Sequence, residues 1–335
     1  MILISGGTGL IGGHLLLLLA QDQVPVRAIY RSKDKLANVE ALFAAQKNSN
    51  FDKIEWMKAD LLDVPSLEKA FQGVTKVYHC AGFISFDPNA YKELRRINIE
   101  GTANLVNLCI AKKIEKLAYI SSIAVFGDKP SQKVIDENSY WNPEAENDVY
   151  AITKYGAEME VWRATQEGVP VVIVNPGVVL GEGFEDSPSS AIFNHVGKGM
   201  AYYPPGSSGF VDVKDVCRAI HLLMDSSIYN QRYILVGALL KYQNLISLIA
   251  EQLGSKIPSR QLQKWQLQLL WRLDAIRAFI FHRNRLLTRN TAESLWSESQ
   301  YSSLKIIKEL DFEFTDISAT VKRVCKTINL KRKKT

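Results

Sequence analysis

Cysteine is scarce in this chain of 335 residues, and the four cysteines lie far apart. Cys80, Cys109, Cys217 and Cys325 show none of the short spacings that typify metal-binding motifs or disulfide frameworks. None of the five histidines has a metal-ligand companion at a suitable spacing. We therefore expect reduced thiols, no bound metal and a cytoplasmic location.

Long apolar runs are also missing. The run at residues 15–19 is too short to span a bilayer, and charged residues interrupt the stretch 262–281. The chain passes from Met1-Ile2-Leu3-Ile4 directly into a glycine-rich segment, without the basic, apolar and cleavage regions of a secretion signal. We expect a soluble protein that is not exported and has no stable membrane insertion.

Positive charge is concentrated at the C-terminus. The formal net charge is +6, and Lys331, Arg332, Lys333 and Lys334 supply four of these charges, which leaves about +2 for the rest of the chain. So small an excess argues against a nucleic-acid-binding face. The basic tail 331–335 is interpreted as a solvated end, and contact with an acidic membrane is the alternative.

Short apolar segments alternate with amphipathic stretches from the first residue onward. Six of them have the length and composition of strands, at residues 2–4, 24–29, 54–57, 74–79, 117–120 and 169–174. Continuous apolar strands joined by helical crossovers are typical of a parallel sheet with helices on both faces. The pattern therefore predicts an α/β fold with a doubly wound parallel sheet.

A glycine-rich loop follows the first predicted strand. In Gly6-Gly7-Thr8-Gly9-Leu10-Ile11-Gly12 the glycines at positions 6, 9 and 12 permit a tight turn that opens a helix. Such a loop lets the backbone approach a diphosphate, whose charge is met by free amides at the helix N-terminus. An ordinary glycine turn is the alternative, but position and spacing together predict a dinucleotide site.

Two interleaved parts are predicted. Residues 1–175 are expected to form a dinucleotide-binding Rossmann domain, completed by about 210–237, where 210–224 is predicted as a helix and 233–236 as a strand. Residues 176–209, rich in glycine and proline, and residues 238–330 are expected to form a smaller, mainly helical substrate lobe.

One helical stripe in this lobe is strongly apolar. Its residues recur at steps of three and four, and they are Leu262, Trp265, Leu269, Leu273, Ile276 and Ile280. The stripe predicts a helix that packs in the core. A membrane-surface helix and a helix that covers a substrate pocket are the alternatives.

Tyr150 and Lys154 are the most informative pair in the sequence. Four residues apart on a predicted helix, they place a phenol and an ammonium group on one face. A neighbouring lysine cation favours the phenolate, so we expect Lys154 to lower the pKa of Tyr150 from its usual value of about 10. The pair would then exchange a proton with a substrate, although two surface neighbours have the same spacing.

Ser121 and Ser122 directly follow the predicted strand at 117–120. Ligands collect at the carboxyl ends of strands in open α/β sheets, so both hydroxyls are candidates for contact with a substrate. A turn that the two hydroxyls cap is the alternative.

Taken in order, these motifs resemble the extended short-chain dehydrogenase/reductases of the NAD-dependent epimerase/dehydratase superfamily. The GxxGxxG spacing of the glycine loop is the form found in that family. Matching segments continue over about the first 220 residues, around Asp60, at 79–82, around Asn98, at 121–127, at 150–154, at 175–181 and at 210–216. Residues 26–31 and 77–81 look closest to the branch of dihydroflavonol reductases and 3β-hydroxysteroid dehydrogenases.

The resemblance implies a catalytic set. Ser122 corresponds to the serine that hydrogen-bonds the substrate oxygen, Tyr150 to the proton donor and acceptor, and Lys154 to the lysine that binds the nicotinamide ribose. Asn98 matches a residue that holds the water or backbone linking the lysine to solvent. A helical asparagine that bonds a nearby carbonyl is the alternative for Asn98.

The resemblance also implies a nicotinamide dinucleotide cofactor. Asp60 matches a carboxylate that contacts the adenine amine, with a helix N-cap as the alternative, and Pro176-Gly177 matches part of the nicotinamide pocket. The expected cofactor-binding residues are Gly6, Thr8, Gly9, Leu10, Ile11, Gly12, Arg31, Asp60, Leu61, Cys80, Ala81, Gly82, Tyr150, Lys154, Pro176, Gly177 and Val179.

The end of the second predicted strand favours NADP(H). An acid there would accept hydrogen bonds from the ribose 2′-OH, whereas the sequence has Tyr30-Arg31-Ser32-Lys33. The planar fork of Arg31 suits a 2′-phosphate. NAD(H) is the alternative, in which Arg31 and Lys33 are only exposed charges.

The expected substrate is a small, fairly hydrophobic carbonyl or alcohol that exchanges a hydride with the cofactor. Its expected contacts are Phe83, Phe86, Ser122, Phe184 and Phe193. An NAD-dependent nucleotide-sugar epimerase or dehydratase is the enzymatic alternative, and a non-catalytic NADP(H)-binding sensor or assembly protein is the alternative from another class. Relatives pair through helices that include the Tyr150 helix, so a homodimer is possible.

Overall fold

The computed structural model describes residues 1–21, 24–47, 50–127, 134–185, 187–281, 285 and 287–332, with only the backbone at 331 and 332. The end of the predicted basic tail, residues 333–335, lies outside this range. The strands are β1 Ile2–Ser5, β2 Val26–Tyr30, β3 Glu55–Lys58, β4 Lys76–His79, β5 Lys116–Ile120, β6 Val171–Pro176, β7 Val178–Leu180, β8 Tyr202–Tyr203, β9 Ser207–Asp212, β10 Gln231–Leu235, β11 Ala238–Lys241 and β12 Arg260–Gln261.

Helices follow most of the strands. They are α1 Leu10–Leu19, α2 Leu36–Ala45, α3 Val64–Ala70, α4 Tyr91–Leu94, α5 Gly101–Ala111, α6 Val149–Gln166, α7 Pro188–Gly197, α8 Val213–Asp225, α9 Tyr242–Leu253, α10 Lys264–Phe281, α11 Arg289–Ser294, α12 Leu304–Leu310 and α13 Ile317–Arg332. A π-helical turn, Arg95–Glu100, joins α4 to α5.

The central sheet has seven parallel strands in the order β10-β6-β5-β4-β1-β2-β3. Side chains that alternate along a strand enter two different cores. In β5, Ala118 packs in the core that includes Leu15 of α1, whereas Leu117 and Tyr119 pack in the core that includes Val161 of α6. The predicted doubly wound fold is therefore confirmed, because both faces of the sheet are covered.

A second, three-stranded sheet has the order β11-β9-β7 and packs with α7, α9 and α13 around a third core. The helix predicted from residue 210 is wrong at its start. Phe210 and Val211 belong to β9, and α8 begins at Val213 because the Asp212 carboxylate accepts a hydrogen bond from the Lys214 amide. The prediction failed because Phe210 and Val211 continue the apolar pattern of the helix, although both belong to a buried strand.

Five of the six residues of the predicted apolar stripe lie in one helix, α10, whereas Leu262 precedes that helix and is half-buried. The predicted packing of the stripe in the core was wrong. Trp265, Leu269, Leu273, Ile276 and Ile280 are all exposed, and Leu267 and Ala278 face the protein instead. Spacing alone shows that a helix has an apolar face, but not which side that face takes. Within the described residues no helix is long and apolar enough to cross a membrane.

The turn between β1 and α1 requires glycine. Gly6 has a left-handed φ of 71°, and a Cβ on it would lie 2.5 Å from the backbone nitrogen of Ala81, just beyond β4. A Cβ on Gly12 would overlap the carbonyl oxygen of Gly6. The loop therefore packs tightly against the end of β4 while α1 starts directly above it.

Replacing Gly6 with alanine tests this packing, and Gly73 provides a matched control. Gly73 has nearly the same φ, 70°, but apart from its two chain neighbours no described residue has an atom within 4 Å of the position that a Cβ would take there. We expect G73A to lower the free energy of unfolding by about 1 kcal/mol, from the left-handed conformation alone. G6A should lower it by at least about 2 kcal/mol more, because backbone atoms must move.

Urea unfolding of the two variants measures the difference. Both substitutions restrict the unfolded chain equally, so that effect cancels. Equal losses of stability in G6A and G73A would show that contact with Ala81 does not constrain the loop.

Candidate active site

Helix α6 places three candidate functional side chains on one face. Its N-cap is Asp148, whose Oδ1 accepts a hydrogen bond from the Ala151 amide at 2.7 Å. This start puts Tyr150 in the first turn, Lys154 one turn later and Glu158 one turn after that. The face lies against the carboxyl ends of β5 and β6.

The Tyr150 side chain is half-buried and lies beside Ser122. Burial raises the pKa of Tyr150 to about 12, the polar Ser122 side chain opposes this rise, and the Asp148 charge adds to it. The expectation that Lys154 lowers this pKa is therefore wrong for this arrangement of side chains. The structure nevertheless brings the predicted serine and tyrosine together.

The Lys154 ammonium is anchored to β5 instead of to Tyr150. It is 4% exposed, and Nζ donates hydrogen bonds to the Tyr119 hydroxyl at 2.6 Å and to the Ile120 carbonyl at 2.9 Å. Burial lowers the pKa of Lys154 to about 7, while the charge of Glu158 opposes the fall. The same helix face therefore contains a tyrosine that keeps its proton and a lysine that readily loses one.

Asn98 lies in the π-helical turn and is buried. Its Oδ1 accepts a hydrogen bond from the Phe83 amide at 2.7 Å, and its Nδ2 donates to the Phe83 carbonyl at 3.0 Å and to the Thr153 hydroxyl at 3.2 Å. Asn98 thus fixes the backbone that follows β4 next to α6. A π-turn widens the helix locally and is frequent at functional sites.

Glu158 is a candidate site residue that the sequence interpretation missed. Its side chain is fully buried and accepts hydrogen bonds from Ser121 at 2.5 Å, Asn175 at 2.9 Å and Arg232 at 3.2 Å. These contacts tie α6 to the ends of β5 and β6 and to β10. The signal was present, because Glu158 continues the spacing of four that links Tyr150 to Lys154.

The glycine loop offers an open helix N-terminus. Gly9 is the N-cap of α1 and is exposed, while Thr8, Leu10 and Ile11 are half-buried. The first amides of a helix have no partner within it, so this end suits an anion. At the base of the loop, Ser5 Oγ lies 2.6 Å from Nδ1 of His79, which fixes β1 to β4.

The other expected cofactor residues lie near the same edge of the sheet, where parallel strands end. Arg31 is exposed directly after β2, and the Cys80-Ala81-Gly82 segment follows β4. Pro176 ends β6, and Gly177 precedes β7, which includes Val179. A Cβ on Gly177 would overlap the Gly209 carbonyl oxygen, so the chain can turn there only with glycine.

Asp60 and Leu61 follow β3 at this edge. Oδ1 of Asp60 accepts a hydrogen bond from the Leu62 amide at 2.9 Å, whereas the N-cap of α3 is Asp63, so the N-cap alternative for Asp60 is wrong. Leu61 is buried, and a Cβ on Gly101 would lie 3.0 Å from the Leu61 Cβ. A nucleotide can therefore reach Leu61 mainly through its backbone.

The expected substrate contacts divide into two groups. Phe86 is exposed and packs edge-on against the Tyr150 ring, with a centroid distance of 5.6 Å, and Phe83 is half-buried in the same segment. Phe184 and Phe193 were predicted wrongly as pocket walls. Phe184 is buried against α1, where a Cβ on Gly13 would touch its ring, and Phe193 is only 1% exposed in the third core.

A family comparison is consistent with this site. The NAD dependent epimerase/dehydratase family matches residues 2–237, which include β1 to β10 and every residue of the site described above. The chain therefore belongs to the NAD-dependent epimerase/dehydratase family and is an enzyme of the extended short-chain dehydrogenase/reductase type. Among the described residues, no group of three or more histidine, cysteine or acidic side chains could hold a metal ion.

Several relatives share much of the chain. It is 28% identical to "Putative dihydroflavonol 4-reductase" of Synechocystis sp. over 92% of this chain and 88% of the relative. It is 27% identical to "Sterol demethylase protein B" of Methylococcus capsulatus over 76% of this chain and 75% of the relative. The expected likeness to dihydroflavonol reductases is confirmed.

Solved structures have the same fold. The crystal structure of gox2253 superposes with a TM-score of 0.80 at 24% identity and covers 98% of each chain. The Bordetella bronchiseptica enzyme WbmH, solved in complex with NAD+, has a TM-score of 0.74 at 18% identity and covers 98% of this chain and 97% of its own. At these identities the likeness supports the fold alone.

The lowered pKa of Lys154 predicts a pH dependence of stability. The unfolded lysine holds its proton up to a pKa of about 10.4, whereas the folded lysine loses it near pH 7. Between these values the unfolded state binds more protons, so this group makes stability rise with pH. K154M should lack that contribution and show a flatter rise in the free energy of unfolding between pH 7 and about 9.

Urea unfolding at several pH values gives the free energy of unfolding as a function of pH. The comparison is between the slopes of these curves and not between the absolute stabilities. The control is K112M, on the exposed Lys112, which should keep the slope of the wild-type protein. Parallel slopes for K154M and the wild type would contradict a lowered pKa.

Proposed function

We propose that this enzyme is an NADP(H)-dependent oxidoreductase that interconverts a carbonyl and an alcohol on a small, fairly hydrophobic substrate. The observation that carries the proposal is the placement of Ser122, directly after β5, beside Tyr150 of α6 at the carboxyl edge of the sheet, close enough for Ser122 to oppose the rise in the pKa of Tyr150. Two neighbouring hydroxyls can both bond one substrate oxygen placed between them. The exposed Phe86 ring beside Tyr150 offers an apolar contact to the rest of that substrate.

The residues of the glycine loop fit a dinucleotide. Gly6 and Gly12 remove the side chains that would block the turn, and exposed Gly9 leaves the N-terminus of α1 open to a diphosphate. When bound, a nicotinamide nucleotide supplies the hydride for carbonyl reduction or accepts it in alcohol oxidation. Lys154 and the Asn98-bound segment at Gly82 and Phe83 would hold its ribose near Tyr150.

The chain's own residues would act on the substrate oxygen. Ser122 Oγ donates a hydrogen bond that polarises the carbonyl, and Tyr150 donates its phenolic proton as negative charge develops on the oxygen. With a pKa of about 12, Tyr150 keeps this proton at neutral pH and is therefore in the form that donates it. Asn98 and Glu158 touch neither the substrate nor the proton, and they position the backbone and the strand ends.

Support for a reductase also comes from relatives. "Cinnamoyl-CoA reductase 1" of Petunia hybrida is 27% identical over 75% of this chain, and the Synechocystis relative is likewise named as a reductase. A nucleotide-sugar epimerase or dehydratase would need cations in the second lobe that grip a diphosphate. Outside that lobe, Arg95 is exposed and pairs with Glu100 on the surface at 2.9 Å.

We also propose a cytoplasmic location, in a single chain or a homodimer. Cys80, Cys109, Cys217 and Cys325 are free thiols, which suits a reducing compartment that supplies NADPH. The small excess of positive charge outside the C-terminal tail supports small molecules, not nucleic acids, as partners of the site.

Replacing Tyr150 with phenylalanine tests the mechanism. The variant keeps the ring beside Phe86 and removes the proton donor, so we expect kcat to fall at least about a hundredfold. The affinity for NADPH should stay nearly unchanged. The measurement is NADPH oxidation with the best substrate from a screen of aldehydes, ketones and sugar nucleotides, together with NADPH binding by titration.

The matched control is Y155F on the same helix. Tyr155 stacks on Trp141 at 4.6 Å and belongs to no part of the proposed mechanism, so Y155F should keep kcat. Turnover by Y150F at the wild-type rate would refute the role of Tyr150. A wild-type preference for sugar nucleotides would instead favour the epimerase alternative.

Replacing Arg31 with aspartate tests the choice of nucleotide. The new carboxylate repels a 2′-phosphate and accepts hydrogen bonds from a 2′-OH, so the ratio of kcat/KM for NADPH to that for NADH should fall at least about tenfold. K35D makes the same change of charge four residues away and should leave the ratio nearly unchanged. A ratio that R31D leaves unaltered would remove the support for NADP(H).

A further inference from the structure

Helix α10 exposes an unusually apolar face. Eight of its large apolar side chains are exposed, including Phe279 at 83% and Trp265 at 66%; the others are Leu269, Leu270, Leu273, Ile276, Ile280 and Phe281. Such a concentration on one helix differs from the scattered apolar residues of an ordinary surface and indicates a binding partner.

The exposed face is opposite to the side that contacts the protein. Leu267 and Ala278 are buried, and Leu267 lies with Ala292 and Trp296 around a small pocket at α11. Trp265, Leu269, Leu273, Ile276 and Ile280 recur at steps of three and four on the outer side. The helix is therefore already anchored on its inner side, and its outer stripe needs a separate apolar surface.

Positive charge accompanies this stripe. Residues 256–281 contain Lys256, Arg260, Lys264, Arg272 and Arg277, and their one acidic residue is Asp274, which pairs with Arg277. Lys264 and Arg272 are exposed beside the apolar side chains. An apolar stripe with tryptophan, phenylalanine and flanking cations suits the interface of a bilayer with anionic headgroups.

Charge argues against a second copy of the chain as the partner. A symmetric dimer centred on the stripe would bring Arg272 of each copy close to the same residue of the other, and like charges at an interface are unfavourable. Anionic lipid removes this repulsion and turns the same cations into favourable contacts.

We propose that the outer face of α10 docks on the surface of a bilayer that contains anionic lipids. The helix lies in the plane of the interface, with its apolar stripe among the acyl chains and Lys264 and Arg272 among the headgroups. The inner face keeps its contacts with α11. The proposal concerns reversible surface binding and does not depend on the proposed reaction.

One contact connects a residue that follows α10 with the candidate site. The backbone amide of Arg285, four residues beyond α10, donates a hydrogen bond to Oδ2 of Asp87 at 2.9 Å. Asp87 follows Phe86, whose ring packs against Tyr150. A docked α10 would thus hold the substrate side of the site next to the membrane surface.

Vesicle sedimentation tests the proposal with the full chain. One set of vesicles contains phosphatidylcholine alone, and the other contains phosphatidylcholine and phosphatidylglycerol in roughly equal amounts. We expect the wild-type protein to bind the anionic vesicles more tightly. The double variant L273E/I276E should bind them at least about tenfold more weakly, because two carboxylates replace the central apolar contacts.

Two further variants separate the contributions. L304E/I307E introduces the same two charges at exposed apolar positions of α12, and it should bind the anionic vesicles nearly as tightly as the wild-type protein. K264Q/R272Q should weaken binding to the anionic vesicles about tenfold. Circular dichroism melting of each variant checks that the fold is retained.

Three results would overturn the proposal. The first is no binding of the wild-type protein to either set of vesicles. The second is equal binding by the wild type and L273E/I276E. The third is a wild-type dimer in sedimentation equilibrium that L273E/I276E converts to a monomer without any vesicle binding, which would identify a second copy as the partner.

Discussion

The candidate site depends on one buried ammonium group. Lys154 can remain inside the protein because Tyr119 and Ile120 of β5 accept its hydrogen bonds and Glu158 supplies a negative charge one helical turn away. Glu158 is in turn neutralised by Arg232 of β10. Together with the hydrogen bond from Asn175 of β6 to Glu158, these contacts fix α6 against three neighbouring strands, and Tyr150 and Ser122 meet because that helix and β5 are held in register.

Much of the fold was predictable from the sequence because local chemistry and tertiary packing agree there. The continuous apolar segments became the parallel strands, and the glycine loop became the tight turn after β1 because Gly6 has a left-handed φ. Tyr150 and Lys154 also lie on one face of a helix, as their spacing predicted. In each case a short stretch of sequence determines its own geometry.

The remaining features depend on contacts between distant segments. Spacing could not show that Lys154 bonds Tyr119, which is 35 residues away, so the pKa of Tyr150 was predicted in the wrong direction. Phe184 and Phe193 were expected to contact the substrate, yet the first fills the space left by Gly13 and the second fills another core. The side on which α10 packs was likewise not encoded in its periodicity.

The π-helical turn at Arg95–Glu100 has a consequence for the phase of the helix around it. An α-helix advances by about 100° per residue, so one extra residue in a turn rotates everything that follows relative to everything before. Asn98 can therefore face the Phe83 backbone while Gly101 still meets Leu61 on another side. Deleting a single residue there would keep the order of the remaining residues. It would nevertheless rotate the side chains on one side of the turn away from the residues that they contact.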